Sequence, residues 1–348
     1  MTVDSNMLQL FKAELELCRV GPGQVLAVLT ADGMRADYAS GFLAAARELG
    51  ATAFHLNLPP VVGLDQLQAV GCTALTGNGP AIAALKGADI VIDLMGLLFS
   101  PEQNDITAAG ARMLLVVEPL DVLRDLFPTP GLRRRVEHAE ALLSKARRLH
   151  VTSPAGTDVI YELSDYPVLS EYGYTDRPGR WDHWPSGFLL THGNDGAVEG
   201  SVTIDTGDII TCMRRYVQNP IRLRIKAGYV VSIDGDGLDA RLLRSYMESF
   251  DDPRAYAVSH IGWGLNRKAQ WHHLALATSR NAEIGLHGLA FDGNVLFSLG
   301  PNSELGGSNN TRCHIDIPLR GCTLVLDHQV IVREGVTVSE PMPLSVSA

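Results

Sequence analysis

Clustered basic charge is missing from this chain. Its formal charge at neutral pH is −10, whereas a surface that binds nucleic-acid phosphates needs concentrated Lys and Arg; this argues against a nucleic-acid partner. The one dense basic run, Arg133-Arg134-Arg135, is followed by Val136, Glu137, His138 and Glu140, and it reads as the solvated face of a helix. Long apolar runs are missing too. The most apolar stretch, Ile90 to Phe99, is broken by Asp93 and is too short to span a bilayer. Met1 to Leu17 has no basic start, no continuous apolar core and no small-residue cleavage site, so a secretory signal is not expected. The cysteines Cys18, Cys72, Cys212, Cys313 and Cys322 are odd in number, scattered and without a CxxC pair. Reduced thiols in a cytoplasmic protein are the expectation, not a disulfide frame or a structural zinc site.

What is present is an ordinary globular composition, 46% hydrophobic and 20% charged over 348 residues. That length is large for one core and implies two domains. The first, residues 1–150, alternates strand and helix signals: strands at Gln24–Leu29, Thr52–Leu58, Asp89–Met95 and Met113–Val117, helices at Met34–Leu49, Pro80–Lys86 and Leu132–Leu149. Such alternation predicts an α/β domain with a mostly parallel sheet covered on both faces. Ser100-Pro101-Glu102-Gln103 has the pattern of a helix start, with a capping Ser followed by Pro. A parallel sheet invites a nucleotide, but Thr30-Ala31-Asp32-Gly33-Met34-Arg35 and Thr76-Gly77-Asn78-Gly79 fit neither GxGxxG nor GxxxxGK[ST]. This domain is therefore read as scaffold and assembly surface, which suggests a homo-oligomer.

From His150 onward the segments become short and β-rich, among them Val159–Leu163, Ala197–Ile204, Ile221–Ile225, Tyr229–Ile233, Leu296–Ser298, Thr323–Leu326 and Val330–Val332, with one helix at Leu238–Ser249. Residues 151–348 are thus expected to form an α+β, β-rich catalytic domain. All four tryptophans, Trp181, Trp184, Trp263 and Trp271, fall within it. They favour an aromatic-lined pocket there, although aromatic cores are the commoner outcome in general.

Three residues carry the chemistry. His314-Ile315-Asp316 reads as a strand in which positions two apart share a face, so both side chains can reach one ion. Most His-x-Asp pairs are surface polar pairs or hydrogen-bonded core groups. This one is flanked by Cys313 and Ile317-Pro318-Leu319, an otherwise apolar strand. Cys313 itself points to the opposite face and reads as a buried structural thiol. Ser259-His260-Ile261-Gly262-Trp263-Gly264 supplies another histidine; alone, it would be read as capping a turn. Two His and one carboxylate arranged facially leave open positions on iron(II) for dioxygen and a substrate oxygen. A second dense patch, Glu171-Tyr172-Gly173-Tyr174 with Arg180-Trp181-Asp182-His183-Trp184-Pro185-Ser186-Gly187, combines stacking rings, hydrogen-bonding groups and a histidine that can move a proton. An aromatic loop packed as core explains its composition equally well.

These segments, together with Leu98-Phe99-Ser100-Pro101-Glu102-Gln103, Pro178-Gly179 and Cys313 to Arg320, closely resemble the 2,5-dihydroxypyridine 5,6-dioxygenases of bacterial nicotine and nicotinic acid degradation. The resemblance covers nearly the whole chain. It implies Fe(2+) held by His260, His314 and Asp316, and insertion of both atoms of O2 between C5 and C6 of a hydroxypyridine to give N-formylmaleamate. His183 would be the acid/base, Glu171 and Arg180 would orient it or the substrate, and Tyr172, Trp181 and Trp184 would lie near the ring. The family in turn is similar to the thermophilic leucyl aminopeptidases, which bind two metals. Matched by eye, their carboxylate positions fall near Ser186 and on His260, and one of their histidines on Leu296; only His314 and Asp316 keep the peptidase identities. Fewer carboxylates disfavour a dinuclear hydrolytic site. One departure stands out: the dioxygenases are expected to carry histidine where this chain has Phe99, which puts the exact hydroxypyridine in doubt.

Overall fold

The computed structural model describes residues 4–59, 71, 73–98, 100–276 and 285–341. Contacts group the chain into two compact units, one comprising the described residues up to Pro128 plus Tyr172–Ser186, the other Thr129–Glu171 and the described residues from Gly187 onward.

The first unit holds a parallel sheet. Its strands β1 (Val25–Ala31), β2 (Thr52–Leu58), β3 (Ile90–Asp93) and β4 (Arg112–Leu115) pair in the order β2-β1-β3-β4. All of β3 and β4 is buried, and all of β1 after Val25, as near-continuous apolar runs demand of a covered sheet. Helices α1 (Ser5–Leu17), α2 (Ala36–Glu48), α3 (Gly79–Lys86), α4 (Pro101–Ala108) and α5 (Leu120–Asp125) complete the unit. Ser100 caps α4 as expected, accepting from the Gln103 N–H. The rings of Phe11 and Phe42 stack at 4.0 Å between α1 and α2.

The chain then builds α6 (Pro130–Leu143), β5 (Arg148–Thr152), β6 (Asp158–Glu162) and β7 (Leu169–Glu171) in the second unit before returning to the first as β8 (Trp181–His183). There β8 joins the parallel sheet beside β4, with Leu115 opposite His183. A single cut at residue 150 therefore does not describe the chain, because one edge strand of the first sheet comes from residues 181–183. The helix expected to run to Leu149 stops at Leu143. Beyond it Leu149 and Val151 alternate inward as β5, and strand pairing overrides helical periodicity. Arg135 also departs from the solvated reading. It is buried and bonded to the Leu265 carbonyl, Asp292 and Glu340.

The rest of the second unit is antiparallel. After β9 (Phe188–His192) come β10 (Val198–Ile204), β11 (Ile209–Ile210), β12 (Arg215–Tyr216), β13 (Ile221–Lys226), β14 (Tyr229–Asp234) and α7 (Leu238–Glu248). Then follow β15 (Val258–Gly264), β16 (Val295–Leu299), β17 (Ile315–Leu319), β18 (Thr323–Leu326), β19 (Gln329–Arg333) and β20 (Val336–Thr337). Eight strands form one sheet, β14-β13-β10-β6-β5-β18-β19-β20, and five form another, β17-β16-β15-β9-β7. Among the described residues no helix is long and apolar enough to cross a membrane.

Candidate metal centre

In an antiparallel sheet, residues directly opposite one another share a face, as do alternate residues along a strand. His260 on β15 lies opposite His192 on β9, and Glu171 on β7 lies opposite Phe188, four residues before His192. Gly262 lies opposite Leu296 on β16, and Ser298 opposite Asp316 on β17. His314, two residues before Asp316, continues the same face. One face of the five-stranded sheet thus gathers Glu171, His192, His260, Ser298, Asp316 and His314, from five strands that are dispersed in sequence.

At its β15–β17 side, Nε2 of His260 is 3.0 Å from Oδ1 of Asp316, and Nε2 of His314 is 3.2 Å from Oδ2. The two imidazole centroids are 5.4 Å apart. The ligand atoms all lie within 4.8 Å of one another, and this is the one such cluster of His, Cys, Asp or Glu among the described residues. Neighbouring ligands at right angles around an ion about 2.1 Å away stand about 3.0 Å apart, so the spacing fits a shared divalent ion. Oδ1 of Asp316 supports the fit. It is buried and receives no hydrogen bond despite the nearby imidazole, and a coordinated ion would satisfy it.

The electrostatics favour the ligand forms of Asp316 and His260. Burial opposes ionisation of Asp316, but the His314 charge and the pull of both adjacent imidazoles outweigh it and hold the carboxyl far below the usual range. Burial pushes His260 down against the pull of Asp316, which leaves a neutral imidazole able to coordinate. For His314 burial also acts downward, yet the attraction of Asp316 wins and the net shift is upward. The backbone is fixed as well. The His260 N–H donates to Ser298 Oγ at 2.8 Å, and that hydroxyl donates back to the His260 carbonyl at 3.1 Å. These bonds brace the irregularity where β15 shifts register against β16. Gly262 is required here, since a Cβ would collide with the Leu189 carbonyl.

The other sequence-derived candidates separate. Glu171, buried, joins the face that bears the three ligands. His183, Arg180, Tyr172, Trp181, Trp184 and Ser186 belong to the first unit. His183 ends β8 at the carboxyl end of the parallel sheet, where open α/β sheets bind ligands. Burial and then the nearby Arg35 charge push its imidazole down to about 3, and its Nε2 is buried without a hydrogen-bond partner. Arg180 is engaged differently from the expectation. Its Nη2 donates to the fully buried Asp182 at 2.5 Å, and its guanidinium lies 3.8 Å from the Tyr172 ring centre. The Tyr172 hydroxyl donates to Asp176 at 3.1 Å. Trp184 is fully buried, edge-on to Phe11, Phe42 and Phe127; it is a core residue and no wall for a ring. Trp181 packs against the apolar cluster formed by Leu97, Ile106 and Met113, and Ser186 is buried. Phe99 lies outside the described residues.

Sequence reasoning passed over His192 and Glu304. Nε2 of His192 is 2.8 Å from Oε1 of Glu304, and the His192 ring centre is 6.4 Å from that of His260. Neither residue stands in a motif; only strand register brings His192 to the ligand face.

The sequence pattern of NicX, 2,5-dihydroxypyridine 5,6-dioxygenase, matches residues 6–339. The 2,5-dihydroxypyridine 5,6-dioxygenase of Pseudomonas putida strain KT2440 is 45% identical over 341 residues, 97% of each chain. A solved structure of 2,5-dihydroxypyridine dioxygenase from the same organism superposes with a TM-score of 0.94 at 44% identity, covering 97% of this chain and 99% of that one. AmpT from Thermus thermophilus shares the fold alone, with a TM-score of 0.60 at 14% identity over 96% of this chain and 99% of its own; this agrees with the distant aminopeptidase likeness. The chain belongs to the 2,5-dihydroxypyridine 5,6-dioxygenase family.

Proposed function

We propose that this protein opens the ring of 2,5-dihydroxypyridine between C5 and C6 with O2, giving N-formylmaleamate in nicotine or nicotinate degradation. It would do so with ferrous iron held by His260, His314 and Asp316. The observation that carries the reading is the spacing of these three side chains on one sheet face, in a chain of this family. Iron(II) supplies redox chemistry and open positions at which substrate and O2 meet.

The residues of the chain set the conditions. With two neutral imidazoles and one carboxylate as its ligands, a bound divalent ion would keep one net positive charge, and the site would favour a hydroxypyridine with an ionised ring oxygen. Glu171, an acceptor on the same face, orients the ring through its remaining N–H or O–H. His183 would be the acid/base that the family resemblance implies, taking up a proton and returning it on ring opening. Ser298 braces the backbone of the ligand His260. After anaerobic reconstitution with Fe(II), the expected result is O2 uptake that matches bleaching of 2,5-dihydroxypyridine absorbance, lost in His314→Ala. Hydrolysis of leucyl amides with zinc or cobalt, without O2 uptake by the iron form, would overturn the reading.

A further inference from the structure

Besides Glu171, a second carboxylate that is not among the three ligands is bonded to a residue of the ligand face. Glu304 sits in the short 3-10 turn Ser303–Leu305, between β16 and β17. Its side chain is 7% exposed, and that of His192 is 2% exposed. A buried carboxylate needs a partner, and this one has His192: an ionised carboxylate only accepts, so the imidazole Nε2–H donates to Oε1 at 2.8 Å. The second oxygen, Oε2, is buried and makes no hydrogen bond. His192 lies opposite His260 across the β9–β15 pairing, with ring centres 6.4 Å apart, so the carboxylate bonded to it stands beside the ligand cluster though outside it.

The turn and His192 are each held by neighbours. Asn302 ties the turn down, accepting from Gly307 N through its carbonyl at 2.9 Å and from Asn309 N through Oδ1 at 2.8 Å. His192 is held on β9, with Tyr166 edge-on at 5.3 Å, and the Tyr166 hydroxyl donates to Asp195 at 2.7 Å. The hydrogen bond from His192 is therefore the restraint on where the Glu304 carboxylate points.

We infer that His192 holds Glu304 out of the coordination shell and so keeps open a position on the ion that this carboxylate would otherwise fill. The inference rests on the metal reading of His260, His314 and Asp316. Two His and one carboxylate leave sites for substrate and O2; a second carboxylate would bind the ion more tightly and block one of them. His192 is a positioning residue in this arrangement, acting through Glu304.

The test is a metal titration that needs no turnover. Co(II) binding is measured by competition with a chromogenic chelator, and the visible spectrum of the Co(II) form is recorded, for wild type, His192→Phe, Glu304→Ala and the double variant. His192→Phe keeps a ring of similar size and removes the donor. It should bind Co(II) at least about tenfold more tightly, with an altered visible spectrum, since ligand-shell changes shift affinity by about 10–100-fold. His192→Phe/Glu304→Ala should return affinity and spectrum to wild-type values, and Glu304→Ala alone should stay within about threefold of wild type. Unchanged or weaker binding in His192→Phe overturns the inference. So does tight binding that persists in the double variant, or a large loss in Glu304→Ala, which would make Glu304 a ligand already. If His192→Phe does not fold, His192→Leu, which also removes the donor, takes its place with the same expected and overturning results. Failure of the metal reading gives a different pattern, in which wild type and His314→Ala bind Co(II) equally.

Discussion

Replacing Arg180 by Ala separates a packing role from a substrate role at one position. Asp182 is completely buried and accepts from the backbone N–H groups of Tyr172 at 3.2 Å, Gly173 at 2.9 Å and His183 at 2.8 Å, as well as from Arg180 at 2.5 Å. Removing one partner of a buried ion pair costs about 3–5 kcal/mol. Three backbone donors remain, so the lower end, about 3 kcal/mol, is expected here. At about 2–4 °C per kcal/mol that lowers the melting temperature by roughly 6–12 °C. Burial raises the Asp182 carboxyl and Arg180 pulls it back. Without the guanidinium its folded value rises further above the unfolded one, and the folded state then binds the extra proton. The deficit of the variant should therefore shrink as pH falls toward the carboxylate range. Thermal melts of wild type, Arg180→Ala, Asp182→Asn and the double variant, at several pH values, give the coupling directly. A melting temperature within about 2 °C of wild type, combined with a loss of about 100-fold or more in kcat/KM, would refute the packing argument and return Arg180 to the substrate.

Three further outcomes are expected. Trp184→Ala, in an aromatic core, should cost about 3–5 kcal/mol of stability, while kcat at a permissive temperature stays close to wild type; a collapse of kcat without destabilisation would contradict this. His183, pushed down to about 3, binds its proton more weakly folded than unfolded. Its contribution is fully present above the ordinary histidine pKa and is lost as pH falls from there toward about 3, with a slope of at most about 1.4 kcal/mol per pH unit. Urea titrations at pH 7 and 5 should show a smaller pH-dependent loss in His183→Asn than in wild type, and equal losses would rule the account out. Gly262→Ala drives a Cβ into the Leu189 backbone between β9 and β15. It should cost about 1–3 kcal/mol and weaken metal binding by displacing His260; an unperturbed metal affinity would count against the register argument.

Much of this architecture was readable beforehand, and the exceptions share a cause. Apolar runs such as Leu26–Leu29 and Ile90–Ile92 announce strands of a covered parallel sheet, and Ser100-Pro101 announces a helix start that the structure contains. The His314-x-Asp316 spacing speaks through the two-residue period of a strand, so that two of the three ligands were local. His260 reaches the same face through the β15–β16 and β16–β17 pairings, and Glu171 through the β15–β9 and β9–β7 pairings, which no local pattern encodes. His192 closes the apolar run Phe188–Thr191 and shows no motif; its place beside His260 is a matter of register alone. Density of aromatic residues misled in the opposite direction. A stretch rich in Trp, Tyr and Arg looks like a ring-binding pocket, yet Trp184 fills a core and Arg180 neutralises a buried aspartate. Composition counts such groups without saying which of them already have partners inside the protein. The return of β8 to the first sheet was hidden because a three-residue strand, Trp181–His183, carries too short a pattern to declare its neighbour.

The most direct test of the central claim is anaerobic titration of the metal-free protein with Fe(II), read as bound ions per chain. The account expects one ion per chain in wild type and none retained after gel filtration in His260→Ala, His314→Ala or Asp316→Ala, each still folded by circular dichroism. Full occupancy in any of these three variants, or two ions per chain in wild type, would contradict it.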